Sequence, residues 1–563
     1  MNWITEENTE LQTIEQLSKE LNVDNVISSM LVKRGIKTFN QAKDFFRPNI
    51  NQLHDPFFMK DMNEAVNRIL QAIENKESMM IFGDYDVDGT SSVALLSSFL
   101  NDIGANLSTY IPDRNNEGYG ISLKAIDLAE KNKETLIIAL DCGIKANDQV
   151  QYALKKGIDF IICDHHNPSN QLPNAYAVLN PKRKDCKYPF KELCGCGVGF
   201  KLIQAINKRK GLEMENIIHY LDLVAVAIAA DIVPLIGENR ILTYVGLQII
   251  NSNPRMGLHC ILQNNKKKEF NIEDLIFYVG PRINAAGRMD HASLALELLL
   301  EKELDKGEKL AEKIEKLNLQ RREIEKNITD QALKKIDNEN KLNSNSTVVL
   351  ENSWNKGVIG IVASRLIEKH YKPTIVFCKS KDGNLTGSAR SIKGVDLYEI
   401  LEECKANILK FGGHKYAAGL TIEENNYASF KESFEKAVGD YINNKLPENE
   451  IRIESKIALS SITPKFFRIL NQFEPFGPGN RKPIFLSEHL SLKGGLNKIG
   501  KNKEHLKLSV SQESDKTFSA IGFWLSEKAT SISSNSTFSM LYTIDENTWN
   551  GITSIQLKIK DIK

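Results

Sequence analysis

Carboxylates and imidazoles gather at three points in the first half of the chain. The stretch Gly83-Asp84-Tyr85-Asp86-Val87-Asp88-Gly89 carries three acids at alternate positions, Asp141-Cys142-Gly143 carries another, and Asp164-His165-His166 sets an acid before two histidines. Each group directly follows a short apolar run: Met79-Met80-Ile81-Phe82, Thr135–Leu140 and Ile158–Cys163. A further acid, Asp231, ends the apolar stretch Leu221–Ala230. One acid in such a place could be a helix cap. So many acids together repel one another unless a cation sits among them. A hard divalent ion supplies that charge, and carboxylates with one or two imidazoles suit Mn2+ or Mg2+ better than a thiolate-seeking metal. Asp84, Asp86 and Asp88 also open a calcium-loop pattern, but that loop needs a Glu at its twelfth position and Leu95 stands there.

Those groups need a frame that brings them together. The apolar runs predict buried strands, and helical patterns at Met62–Asn75, Ser91–Asn101 and Leu123–Lys131 lie before and between them. Strands alternating with helices predict a parallel sheet covered on both faces. The carboxyl ends of such strands converge on one crevice, where ligands bind. Residues 1–48 predict short helices, closed by Arg47-Pro48. Residues 293–337 predict one long helix, with Leu310, Ile314, Leu317, Ile324 and Ile328 on one stripe and a solvated charged face. After a loop at 342–346, a second α/β pattern follows, with strands Val348–Leu350 and Thr374–Cys378 and a helix Val358–Lys369. From about residue 450 the period becomes two, as in Leu506, Leu508 and Val510, or Phe538, Met540 and Tyr542, which predicts a small antiparallel barrel or sandwich.

Composition narrows the function. The 563 residues balance 73 basic against 72 acidic side chains, which excludes binding by bulk positive charge but not by a local basic groove. No apolar run reaches the roughly 18 residues a bilayer span needs. The acidic N-terminus is unlike a secretory signal, so the expectation is a soluble, cytoplasmic protein without membrane contact. Eight cysteines are too few for a disulfide scaffold. Cys142 and Cys163 are expected to be packing residues. Cys194 and Cys196 form a C-x-C in a Gly-rich turn with no second ligand pair for zinc.

At this point the chain resembles the DHH phosphoesterase family, and within it the bacterial exonucleases specific for single strands. The resemblance rests on eight ordered signatures. They are Asp84–Gly89, Pro112-Asp113-Arg114 with Glu117–Gly120, Asp141–Gly143, Asp164–His166, Ala230-Asp231 with Val233-Pro234, Gly280–Arg288, Gly387–Ser391 and Phe411–Gly419. They run from about residue 50 onward. The resemblance implies an α/β fold: a parallel-sheet DHH domain over 49–250, a connector with the long helix over 251–340, a smaller DHH-associated α/β domain over 341–445, and an OB-like β-barrel over 446–563, preceded by the helical segment 1–48.

It also implies two Mn2+ or Mg2+ ions held by Asp86, Asp88, Asp141, His165 and Asp231, with Asp84 close by; which of the three motif acids bind directly stays open. His166 is expected to touch the scissile phosphate, or else to support His165. Two cations about 4 Å apart neutralise a phosphodiester, acidify a water and stabilise the leaving oxygen. The expected activity is 5′→3′ exonuclease cleavage of single-stranded DNA to 5′-mononucleotides, in recombination and repair. Arg114 and Tyr119 are expected to hold a phosphate and stack on a base, against the alternative of a surface Arg and a turn Tyr. Ser388 and Arg390, in a small-residue turn, would capture a terminal 5′-phosphate. Gly412, Gly413 and His414 would allow close backbone approach, or else form a tight turn. Arg282, Asn284 and Arg288 would line a groove between the lobes. Phe518, Phe523, Trp524 and Trp549 are left unassigned, because aromatics in small barrels fill cores. The resemblance adds single-strand-binding protein and a helicase as partners of a monomer. Two other functions compete: a phosphoesterase for very short oligonucleotides or cyclic dinucleotides, disfavoured by the extra β module, and a strand-binding subunit without activity, disfavoured by the intact acids.

Overall fold

The computed structural model describes residues 2–5, 10–114, 116–338, 344–512, 516–532, 537–549 and 551–563. The three apolar runs are the central strands of a five-stranded, all-parallel sheet. Its order is Asn106–Tyr110, Ser78–Gly83, Glu134–Leu140, Asp159–Cys163, Ala177–Leu179. Alternate side chains serve opposite faces, which is why the runs are apolar throughout. Met79, Ile81, Leu136 and Ile138 pack into one core with the helices Val87–Asp102, Gly195–Arg209 and Leu221–Asp231. Met80, Phe82, Ile137 and Phe160 pack under Leu123–Lys131 and Asn147–Lys155 on the other face.

Residues 293–337 do not form one helix. They form Ser293–Leu300 and the 35-residue Leu304–Asn338. The chain is extended at Glu301, whose carboxylate accepts hydrogen bonds from the amides of Lys302 and Glu303. A side chain that satisfies free amides in this way competes with helix continuation. Past the expected loop 342–346, whose first two residues lie outside the described ones, a mixed five-stranded sheet follows. Its order is Lys410–His414, Ala417–Ile422, Leu385–Arg390, Thr374–Lys379, Thr347–Leu350.

The last 115 residues close into a barrel, because Phe485–Leu492 pairs with both Phe538–Trp549 and His505–Ser511. It is not purely antiparallel: Thr517–Gly522 runs parallel to Ile552–Ile562. Phe518 is buried in it, whereas Phe523 and Trp524 are exposed; the side chain of Trp549 lies outside the described residues. The N-terminal helices share this barrel's core through Ile14, Leu17, Ile27 and Met30. The strand Asn2–Thr5 pairs in parallel with Glu450–Ile453. Among the described residues no helix is long and apolar enough to cross a membrane.

Candidate metal centre and strand cleft

The acids meet at the carboxyl edge of the parallel sheet. Asp84 directly follows its strand and is 1% exposed, with both carboxylate oxygens buried and without a hydrogen-bond partner. The three motif acids do not lie along one extended segment. Asp86 caps the helix Val87–Asp102, one of its oxygens accepting from the Gly89 amide at 3.0 Å, so Asp88 sits in that helix's first turn. Gly89 must be glycine, since a Cβ there would lie 2.4 Å from the Asp84 carbonyl oxygen.

Asp88 is gripped from across the chain. Its two oxygens accept from the amides of Gly195 and Cys196, at 2.6 and 2.7 Å. These amides open the helix Gly195–Arg209, which Cys194 caps. The C-x-C is therefore a helix start rather than a turn, and all eight cysteines are buried and free. A helix N-terminus is a natural seat for an anion. Gly195 is needed for a steric reason as well: a Cβ there would fall 2.5 Å from that of Asp141.

Asp141 adopts a left-handed backbone (φ 59°), and its amide donates to the Cys163 carbonyl. His165 Nε2 lies 3.2 Å from Asp141, 3.6 Å from Asp231 and 3.9 Å from Asp88. Neither ring nitrogen of His165 makes a hydrogen bond, nor does the Asp141 oxygen that faces it. Buried polar atoms are almost always satisfied. Donor atoms that crowd together unsatisfied fit a shared cation. Burial, with the charges of Asp86 and other acids, raises the carboxyls of Asp84, Asp141 and Asp231 well above the usual range. Burial and Asp86 likewise push Asp88 up to about 6, despite its two amides. Burial, with His166 nearby, lowers His165 to about 3, so it is a neutral imidazole at working pH, the form that ligates metal.

Asp164 plays a different part. One oxygen accepts from the amides of His165 and His166 and from His166 Nδ1, at 2.7, 3.1 and 2.7 Å; the other accepts from Ile144 at 2.9 Å. Burial would raise this carboxyl, but the His166 ring and the backbone amides hold it at about 2. Burial lowers His166, and Asp164 outweighs that, leaving its pKa raised.

A cavity of about 690 Å³ opens from Asp84 and Asp86 to the second sheet. Arg114, Tyr119, Ser388, Arg390, Gly412, Gly413 and His414 line it, joined by Lys356 and Lys410. Arg114 lies over the Tyr85 ring at 4.0 Å. The Tyr119 hydroxyl is 3.3 Å from both the Asp141 carbonyl and His166 Nε2, while its ring stays exposed. Gly387–Arg390 is the end of a strand, not a turn, and Arg390 donates to the Ser388 hydroxyl at 3.2 Å. Gly412 and Gly413 also lie in a strand. Gly412 faces open space, but a Cβ on Gly413 would strike the Ala417 carbonyl at 2.3 Å. Arg282 and Asn284 do not reach this cavity: Arg282 stacks on Tyr278 and pairs with Glu315. Arg288 donates to the Gly357 carbonyl and feels the charges of Arg114 and Arg390. Lys182, whose charge acts on His165 and Asp231, is a further group that no motif marked.

A parallel sheet with this acid–histidine cluster at its edge, tied by a helix to a smaller mixed-sheet unit, defines a phosphoesterase of the DHH class. Three family models match: the DHH family N-terminal domain over 78–228, the DHHA1 domain over 343–440 and the RecJ OB domain over 453–561. The chain belongs to the RecJ family. It is 36% identical to the single-stranded-DNA-specific exonuclease RecJ of Bacillus subtilis over 97% of this chain and 69% of that protein. It is 33% identical to the Haemophilus influenzae RecJ over 92% of each. The crystal structure of Thermus thermophilus RecJ in complex with Mn2+ superposes with a TM-score of 0.86 at 26% identity, covering 100% of this chain and 79% of that one.

The raised carboxyls make a prediction. In the metal-free fold these acids hold their protons more tightly than in the unfolded chain, so the stability they contribute is present below about pH 4 and is lost as pH rises, for Asp88 through about 6. A bound divalent ion reverses this by replacing the protons. Calorimetry should show Mn2+ raising Tm over EDTA by about 5 °C or more at pH 8, with a smaller gap at pH 5. A gap independent of pH would refute it.

Proposed function

We propose that the chain is a single-strand-specific 5′→3′ exodeoxyribonuclease that releases 5′-mononucleotides in recombination and repair, using two Mn2+ or Mg2+ ions. One observation carries this: the donor atoms of Asp88, Asp141, His165 and Asp231 converge, with Asp141 and His165 unsatisfied, beside a cleft lined with cationic groups. Asp84, Asp86, Asp88, Asp141, His165 and Asp231 would hold the ions. When bound, they supply positive charge to the phosphate and acidify a water.

The chain's own groups do the rest. Asp164 raises the proton affinity of His166, and the imidazolium neutralises charge growing on the scissile phosphate. Arg390 and Ser388, with Arg114, seat the terminal 5′-phosphate, which sets polarity and places the next bond at the acids. The exposed ring of Tyr119 is free to stack on the terminal base. A cavity of about 690 Å³ is the size of a small-molecule site, which suits the terminal nucleotide of a single strand. A duplex would have to be opened to supply such a strand, a task for a helicase and single-strand-binding protein as proposed partners of a cytoplasmic monomer.

The test is digestion with Mn2+ of labelled single strands, duplexes and dinucleotides. Mononucleotides from long single strands, with blunt duplex at least about a hundredfold slower, is the expected result; cleavage of dinucleotides alone would overturn it. In the same assay Arg390→Ala should erase most of the preference for a 5′-phosphate over a 5′-hydroxyl, a loss of about tenfold or more. An unchanged preference would refute the end-capture assignment.

A further inference from the structure

We propose that a second cleft, bounded by the π turn Leu275–Val279, the helix Gly280–Met289, the long helix Leu304–Asn338 and the helix Ile359–His370, binds a nucleotide, its phosphate held by arginines and its base stacked on Phe277. The cavity measures about 600 Å³ and is separate from the one that holds the acids. Guanidiniums from three elements converge there: Arg282, the pair Arg321 and Arg322, and Arg365, with Lys326 beside them.

The bland alternative is an ion-pair network that stitches these helices together. Part of the set does this. Arg282 pairs with Glu315, and Arg321 and Arg365 share Glu325. The charges do not balance, however. Five cationic heads meet four carboxylates, those of Glu315, Glu325, Glu368 and Asp330. Arg322 and Lys326 are exposed and carry no ion pair among the described residues, and Arg321 keeps a buried Nε without a partner. Converging arginines with spare donors suit a phosphate, which accepts bidentate hydrogen bonds.

Phe277 points to the rest of the ligand. It is 75% exposed, in the middle of a π turn, a rare local geometry that recurs at functional sites. A lone exposed phenyl beside guanidiniums is the pairing that holds a nucleobase next to its phosphate. Arg288 feels Arg114 and Arg390 of the catalytic cleft and also Arg321 of this one. The nucleotide could be a released mononucleotide or one unit of a strand; the chemistry is shared.

The inference does not rest on hydrolysis, since binding is read in EDTA. Equilibrium dialysis of the full chain with labelled dAMP, and anisotropy with a labelled dT12, would be run on wild type, Phe277→Ala and Arg322→Glu. Both positions are exposed, so the fold is retained. A loss of about tenfold at one of two dAMP sites in both variants supports a free nucleotide, and a similar loss for dT12 alone supports a strand unit. If both variants bind dAMP and dT12 as wild type does, the cleft is only an ion-pair network and the proposal fails.

Discussion

Asp141→Asn is expected to slow cleavage of a 5′-phosphorylated single strand by at least about a thousandfold, equivalent to about 4 kcal/mol of barrier, while strand binding in EDTA changes by less than about threefold. The substitution keeps the shape. Asn tolerates the left-handed backbone that Asp141 adopts, and its amide still donates to the Cys163 carbonyl. It removes one negative charge from a pocket where Asp88, Asp86 and Asp231 repel it. The residue that faces His165 Nε2 at 3.2 Å would then hold a divalent ion poorly. The same loss of repulsion should make the metal-free protein more stable, so Tm in EDTA rises as activity falls. Single-turnover cleavage and calorimetry measure both. Cleavage within tenfold of wild type would remove Asp141 from the metal centre.

How much of this was legible depended on distance along the chain. Runs such as Met79–Phe82 and Thr135–Leu140 announced central strands because both faces of a parallel sheet are buried. The flanking strand Asn106–Tyr110 is half exposed and Ala177–Leu179 is three residues long, so neither has a pattern to read. The acids could be named from their positions after apolar runs. Their separate tasks could not, because partners from remote elements set them. Asp88 owes its seat to amides 107 and 108 residues away. Glycines at 195, 197 and 199 suggested a turn, since glycine weakens helices. Gly195 is glycine because Asp141 presses against the backbone there. Arg282 shares a motif with Arg288, yet six residues along a helix turn it about a third of the way round, into contact with another cleft. Asn2–Thr5 pairs with residues some 450 positions later, which local patterns do not encode.

Asp164→Asn should be nearly as damaging to activity as Asp141→Asn, for the opposite structural reason. Asp164 is 1% exposed, and its oxygens accept four hydrogen bonds: three on one side, from His165 and His166, and one on the other, from Ile144. Asparagine has one acceptor oxygen. Whichever way its amide turns, its NH2 meets a donor in a buried site, at a cost of about 2–4 kcal/mol. The carboxylate that offsets burial of His166 is also gone, so the histidine's pKa drops. A rate that needs His166 protonated would then fail at lower pH, and the alkaline limb of the profile should move to lower pH. Activity at pH 8 is expected to fall at least about a hundredfold. In EDTA this variant should melt earlier than wild type, where Asp141→Asn melts later. That contrast separates an acid that holds the fold from one that the fold holds against repulsion. If both substitutions shift Tm in the same direction, the division of labour between the two carboxylates is wrong.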